Sequence, residues 1–345
     1  MRRTARIGLD ASTVCQLYCP LCTNHIKELA DRVGHGFLSF TDFRRLIDAN
    51  PAIRDIELAN WGEVFLNPDL KHILRHAWER GIRLRVDNGA NLNSVPEETL
   101  EALVRYRLRS LTCSIDGATP RTYGMYRVRG SFEAVLGNIR RINDYKRALR
   151  SSSPVLTWQF IVFGHNQHEI QQARALAREL RMRFRTKLSW NESFSPVTDP
   201  ALVKRQTGSR WTSRREYQAS RRRDFMHGAC HQLWERPQIN WDGRLLGCCA
   251  NLWADYGVNV LEEGLRAALD CERYRYAKRM VQGRAPERGD VPCVRCTIYR
   301  QMAAEGVWIR RGVRRRLHLL LRSVYPLVRT LPGIDRLKER VRQTI

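Results

Sequence analysis

At 345 residues the chain exceeds the size at which a single core usually stops growing, so a large domain with a smaller companion is expected. Apolar residues at 43% and charged residues at 28% describe an ordinary folded chain and exclude a largely disordered one. Sixty Lys+Arg against 35 Asp+Glu leave a net charge of +25, which calls for an anionic destination or a solvated arginine-rich surface. No run approaches roughly 18 uninterrupted apolar residues, so no spanning helix is expected. The basic start, Met1 to Arg6, never becomes an apolar signal core, and a cytoplasmic location follows as an expectation.

Between Arg6 and Trp190, short β-branched or apolar runs alternate with amphipathic stretches. The runs predict strands over Ile7–Ala11, Asp55–Ala59, Arg83–Asp87, Ser110–Ile115, Val155–Phe163 and Arg183–Ser189. The intervening stretches predict helices over Phe40–Ala49, Asp69–Arg80, Glu97–Tyr106, Phe132–Leu149 and Gln167–Leu180. Asn67-Pro68 reads as a cap followed by proline at the first helical position, and Asn166 with Glu169 as a capping box. Strand–helix alternation of this kind predicts a parallel α/β domain over 1–190, closing as a partial or complete barrel. Its chemistry belongs at the C-terminal ends of the strands.

Residues 191–228 break the pattern with a polar, basic stretch that reads as a connector able to close over the barrel mouth. Asp199 to Asp224 holds eight basic and three acidic residues. A cysteine-rich segment occupies 229–305, and a basic amphipathic tail 306–345, where Arg310 to Ile345 holds eleven basic and two acidic residues. The tail suits either an interfacial helix at the inner membrane surface or a solvated helix packed on its own domain. Without aromatic interleaving or a recognition motif, the charge gives no reason to expect nucleic acid.

Ten cysteines in a cytoplasmic chain point to metal or redox chemistry rather than disulfides. Cys15, Cys19 and Cys22 follow the first predicted strand directly, and three thiolates within eight residues can converge on one centre. Such a set is either a zinc loop or a three-ligand [4Fe–4S] cluster with one iron left open. The Cys-x3-Cys-x2-Cys spacing resembles the signature of the radical SAM (S-adenosylmethionine) superfamily. One departure is Leu21, where that family usually has an aromatic residue packed near the adenine. Further motifs follow in the family's order at strand ends. Asn60-Trp61-Gly62-Glu63 resembles Gly-Gly-Glu-Pro, Asp87-Asn88-Gly89 resembles Thr-Asn-Gly, and Ser114-Ile115-Asp116-Gly117 closes the fourth strand ahead of Arg127.

The resemblance implies a partial (β/α)6 barrel with Cys15, Cys19 and Cys22 on a [4Fe–4S] cluster that binds SAM. Glu63 would accept from the methionine ammonium, Ser114 would contact SAM, and Arg127 would pair with its carboxylate, with Asn88 and Asp116 at the same site. An external electron donor such as flavodoxin or ferredoxin is implied as well. Cys230, Cys248, Cys293 and Cys296 resemble the opening of the SPASM extension, and no cysteine follows Cys296. The match is therefore to the shortened twitch form with one auxiliary [4Fe–4S] cluster, a four-cysteine zinc site being the alternative. Cys113 reads as a core thiol and Cys271 as incidental. Cys249 reads either as structural or as a thiol returning hydrogen to a substrate radical. The resulting expectation is a SAM-cleaving enzyme that oxidises or epimerises a sugar, aminosugar or cyclitol. A ribosomal-peptide maturase is the second reading, and a metal-stabilised nucleic-acid or membrane-binding protein the third.

Overall fold

Along most of the first six strands, apolar side chains face one way and polar ones mostly the other, the pattern of a sheet whose two faces meet different surroundings. The computed structural model describes residues 6–23 and 31–310. The strands are β1 (Arg6–Leu9), β2 (Asp55–Glu57), β3 (Arg83–Ala90), β4 (Ser110–Ser114), β5 (Val155–Val162), β6 (Arg183–Leu188) and β7 (Gln238–Ile239). They form one sheet in the order β6-β5-β4-β3-β2-β1-β7, with every pairing parallel. The β6 and β7 edges do not pair with each other, so the barrel is partial.

Helices connect the strands: α1 (Phe40–Ala49), α2 (Leu70–Glu79), α3 (Glu97–Arg105), α4 (Pro120–Tyr126), α5 (Phe132–Ala148) and α6 (Ile170–Glu179). Ile7, Leu9, Ile56, Leu84, Leu111, Trp158 and Phe160 share one core with their apolar faces. On the sheet's other face, Arg83 and Arg85 donate to Asp55 at 3.2 and 2.9 Å, and Arg185 Nη2 donates to Gln159 Oε1 at 2.8 Å. A parallel sheet is ordinarily apolar on both faces, so this polar lining marks the side where ligands enter.

Side-chain caps start several helices. Ser39, Thr119 and Ser131 accept from the third residue on, at α1, α4 and α5. Two predicted caps are corrected. Asn67 does not cap α2: its Nδ2 donates to Ala11 and Leu38 carbonyls, and Asp69 takes the cap position. Asn166 and Glu169 form no capping box either. Asn166 Nδ2 ties the Asp116 and Ile161 carbonyls, while Glu169 accepts from Ala118 N and the Thr119 and Thr122 hydroxyls. At Asn67 the side chain serves both, Oδ1 accepting from Asp69 N at 2.7 Å while Nδ2 reaches the distant carbonyls; at Asn166 and Glu169 long-range groups take the side chains instead.

The 191–228 stretch carries two short helices, α7 (Pro200–Thr207) and α8 (Arg214–Arg221). The cysteine-rich segment adds α9 (Gln232–Glu235), α10 (Val260–Glu263), α11 (Leu265–Asp270), α12 (Glu272–Met280) and α13 (Thr297–Glu305). It also supplies β7, whose Gln238 and Ile239 pair with Gly8 and Leu9 of β1. Leu233, Ile239, Tyr274 and Met302 lie in the same core as the sheet. Among the described residues no helix is long and apolar enough to cross a membrane. The predicted tail beyond Arg310, with its possible membrane contact, lies outside the described residues.

Candidate active site at the C-terminal ends of the strands

The loop leaving β1 brings Cys15, Cys19 and Cys22 together. Cys22 N donates to the Cys19 carbonyl at 3.0 Å, closing the Cys-x2-Cys turn. Burial, and then the neighbouring charges of Glu63, Cys19 and Cys22, push the Cys15 thiol up to about 12. Burial likewise raises Cys19, against the pull of Arg127. Leu17, Tyr126, Ile161 and Phe163 form an apolar cluster with Cys19, against which Cys15, Leu21 and Cys22 pack. Two donors are aimed at sulfur: Arg127 Nη1 lies 3.6 Å from Cys19 Sγ and Asn91 Nδ2 3.7 Å from Cys15 Sγ. Buried thiols that would stay protonated by themselves, ringed by hydrogen-bond donors, fit a cationic metal cluster that holds them as thiolates.

Around this loop the strand-end motifs converge. Gly62 has φ +58°, and a Cβ there would lie 2.6 Å from the Thr13 carbonyl carbon, so only glycine lets the loop after β2 lie on the cysteine loop. That approach lets Glu63 N donate to the Val14 carbonyl at 2.7 Å. The Glu63 carboxylate is 1% exposed and accepts from Asn91 N at 2.6 Å and Phe65 N at 3.3 Å. Burial raises it to about 7 despite those amides. Each oxygen keeps a further lone pair for an incoming cation.

Arg127, at the end of α4, places Nε and Nη2 on Asp116 Oδ2 at 2.7 and 2.6 Å. Asp116 Oδ1 accepts from Ile161 N at 2.6 Å, so the carboxylate is fixed from both sides. Burial opposes the charge on Arg127, but Asp116 and Cys19 outweigh it and hold the guanidinium firmly protonated. Asn88 Nδ2 donates to the Ala59 carbonyl at 2.6 Å and so braces the loop carrying Glu63. Ser114 ends β4 beside Gly89, whose φ of +124° and missing Cβ admit the Ser114 hydroxyl.

Cys230, Cys248, Cys293 and Cys296 also assemble. Burial is the main reason the Cys230 thiol is raised, with the charges of all three others adding to it. Cys296 N donates to the Cys293 carbonyl at 3.0 Å, repeating the turn seen at Cys19 and Cys22. Tyr256 Oη lies 3.5 Å from Cys293 Sγ. Among the described residues no three His, Cys, Asp or Glu side chains are close enough to hold one metal ion. A four-iron cluster spreads its thiolates further apart than a single zinc does. Cys113 is fully buried in β4, and Cys271 lies between α11 and α12.

Cys249, beside Cys248, is held by Gln232 and by Asn60 of the loop after β2. Its amide donates to Gln232 Oε1 at 2.7 Å, its sulfur lies 3.2 Å from Gln232 Nε2, and its carbonyl accepts from Asn60 Nδ2 at 3.3 Å. Three groups at this face carry no sequence motif. Glu57 is buried, accepts from Asp87 N and Asn88 N through Oε1, and lies 3.5 Å from Arg236. Burial raises it to about 7. Lys187 on β6 and Arg214 on α8 flank Trp190. Only the alternation of β6, which puts Arg183, Arg185 and Lys187 on one face, hinted at the second of these.

A parallel sheet with a three-thiol loop on its first strand and carboxylate, amide and guanidinium groups at the following strand ends is an arrangement able to hold an iron–sulfur cluster. Residues 10–177, just under half of the chain, match the Radical SAM superfamily, a family that uses SAM and a [4Fe–4S] cluster. Solved structures with the same fold include Streptococcus suis SuiB bound to S-adenosylmethionine, 14% identical with a TM-score of 0.58 over 86% of this chain and 71% of that one. SuiB bound to its precursor peptide SuiA is 15% identical, with a TM-score of 0.59 over 87% and 71%. The anSMEcpe protein with bound AdoMet is 12% identical, with a TM-score of 0.57 over 86% and 87%. Identities this low speak for the fold alone. No curated protein matches the sequence.

Proposed function

We propose that the chain is a radical SAM oxidoreductase or epimerase acting on an unactivated carbon of a sugar, aminosugar or cyclitol. The observation that carries this reading is the convergence of the Cys15–Cys19–Cys22 loop, Glu63 and the Arg127–Asp116 pair at the C-terminal ends of adjacent strands. Cys15, Cys19 and Cys22 would hold the SAM-binding [4Fe–4S] cluster. When loaded and supplied with an electron by a flavodoxin or ferredoxin, that site splits SAM to methionine and a 5′-deoxyadenosyl radical, which takes the substrate hydrogen.

The chain's own residues orient and exclude. Glu63 receives the methionine ammonium on its free lone pairs, and Ser114 and Asn88 line the same loop cluster. Asp116 keeps the Arg127 guanidinium aligned, leaving Nη1 for the SAM carboxylate beside Cys19. Tyr126, Phe163 and Leu17 keep water from the cysteine loop.

Cys230, Cys248, Cys293 and Cys296 would hold a second [4Fe–4S] cluster in a twitch/SPASM-like segment over 229–305. That cluster would supply an electron acceptor, so that a hydroxyalkyl radical losing an electron to it and its hydroxyl proton to solvent would end as a ketone. A hydrogen atom returned by the Cys249 thiol would instead give the epimer and leave a thiyl radical for the external electron donor and a proton to restore. The charged and amide lining of the sheet's open face suits a polyhydroxylated substrate. A peptide is the second reading, supported by the fold shared with SuiB in complex with SuiA.

Iron and acid-labile sulfide per chain after anaerobic reconstitution test the proposal. About eight irons in the wild type and about four in Cys15/Cys19/Cys22→Ala are expected. Zinc in place of iron, or no loss in the variant, overturns it.

A further inference from the structure

The cations on the open face of the sheet divide into two groups. Arg85 is paired with Asp55, Arg127 with Asp116, and Arg236 with Glu57, while Arg185 donates to Gln159 and to the Asp87 carbonyl. Lys187 and Arg214 have neither an ion pair nor a hydrogen bond among the described residues. Their contacts are with rings: the Lys187 ammonium lies 5.4 Å from the Trp190 centroid, and the Arg214 guanidinium carbon lies 3.6 Å from the Trp190 centroid and 4.7 Å from that of Phe225. Arg214 Nε and Nη2 are buried without a hydrogen-bond partner.

Leaving two neighbouring cations desolvated with no counter-charge in direct contact costs folding free energy. Burial, and then repulsion from Arg214, lowers the Lys187 ammonium to about 8. Burial lowers Arg214 to about 10, against the attraction of Asp224. The position is as telling as the charge. Lys187 sits at the C-terminal end of β6, where its charge is felt by Arg127 and Asp116 on one side and by Cys249 on the other. Trp190, 52% exposed, offers a flat apolar wall beside the two cations.

We propose that Lys187, Arg214 and the Trp190 ring form an anion subsite of the substrate pocket, and that the substrate carries a phosphate or carboxylate group seated there. Substrate placement at this face rests on the radical SAM reading above. The subsite itself rests only on the unpartnered cations. A guanidinium with two free donors and an adjacent ammonium match the spread oxygens of phosphate or carboxylate, and ring contacts hold both cations in place before the anion arrives. Because α8 supplies Arg214, the basic 191–228 segment takes part in recognising substrate.

Calorimetric titration of the reconstituted protein with inorganic phosphate, and separately with acetate, tests this. One of the two should bind the wild type, phosphate pointing to a phosphorylated substrate and acetate to a carboxylate. Lys187→Gln and Arg214→Gln should each weaken that binding at least tenfold, Lys187→Arg should restore most of it, and Arg178→Gln, a change on an exposed face of α6, should leave it unchanged. Iron content and unfolding midpoint establish that each variant is folded. The subsite is overturned if neither ion binds, or if both Gln variants bind as the wild type does. Failure of the radical SAM reading shows separately, as missing iron or missing SAM binding, because inorganic phosphate and acetate require neither.

Discussion

Asp116 and Arg127 show how one buried pair can serve both folding and binding. The aspartate is fully buried and meets the guanidinium through Nε and Nη2, and its other oxygen holds the Ile161 amide. Asp116→Asn leaves a buried guanidinium without its counter-charge. It should cost about 3 kcal/mol of stability and lower the rate of 5′-deoxyadenosine formation at least tenfold, read from denaturant midpoints and product assay. Glu57 gives a pH-dependent counterpart. Its carboxyl is raised by burial from 4.5 to about 7, so the folded state holds a proton that the unfolded state has lost. Unfolding then releases a proton within that window, and the stability contribution, complete below 4.5, is lost as pH rises through about 7. Between pH 5 and 8 the wild type should lose up to about 3 kcal/mol more than Glu57→Gln, measured by urea unfolding at each pH.

At the scale of elements, α4 and α7–α13 were not predicted, whereas α1 runs over Phe40–Ala49, the bounds its apolar spacing predicts, and the four other predicted helices and six strands fall within a few residues of expectation. Their periodicity is local information, and tertiary packing reinforced it. The departures have specific causes. The β3 strand continues through Asp87-Asn88-Gly89 to Ala90, with a register shift against β4 between Val86 and Ala90. That irregularity turns Asn88 toward Ala59 and sets Gly89 against Ser114. Gly89→Ala adds a Cβ at φ +124° into the Ser114 hydroxyl, and should cost about 1–3 kcal/mol in a thermal or urea unfolding experiment. The cap readings of Asn67 and Asn166 rest on neighbours one and three residues away, yet their Nδ2 groups serve carbonyls at Ala11, Leu38 and Asp116. A polar side chain beside a helix start carries no mark of which backbone group will reach it in the fold.

Over the whole molecule, β7 joins the cysteine-rich segment to the sheet edge beside β1, the strand whose following loop carries Cys15, Cys19 and Cys22. Two residues are too few to show a period, so this strand was not legible in the sequence. Its consequence is testable: Cys293→Ala should retain SAM cleavage while losing substrate turnover, seen as 5′-deoxyadenosine formed without product. Full turnover in a folded variant would remove the second cluster from the reaction. Deleting residues 311–345 should leave SAM cleavage intact, because every group assigned to SAM lies between Cys15 and Arg127.

Spacing by itself determined the alternating α/β order and the thiol-bearing loop after the first strand. Periodicity and short-range ligand geometry need only neighbours in the chain. The pairing of Arg127 with Asp116, the bracket of Gln232 on Cys249, and the meeting of Lys187 with Arg214 across Trp190 were decided only when distant segments packed together. A charge becomes informative once its compensation, or the lack of it, can be seen. Compensation is a property of three-dimensional neighbours that no pattern along the chain encodes.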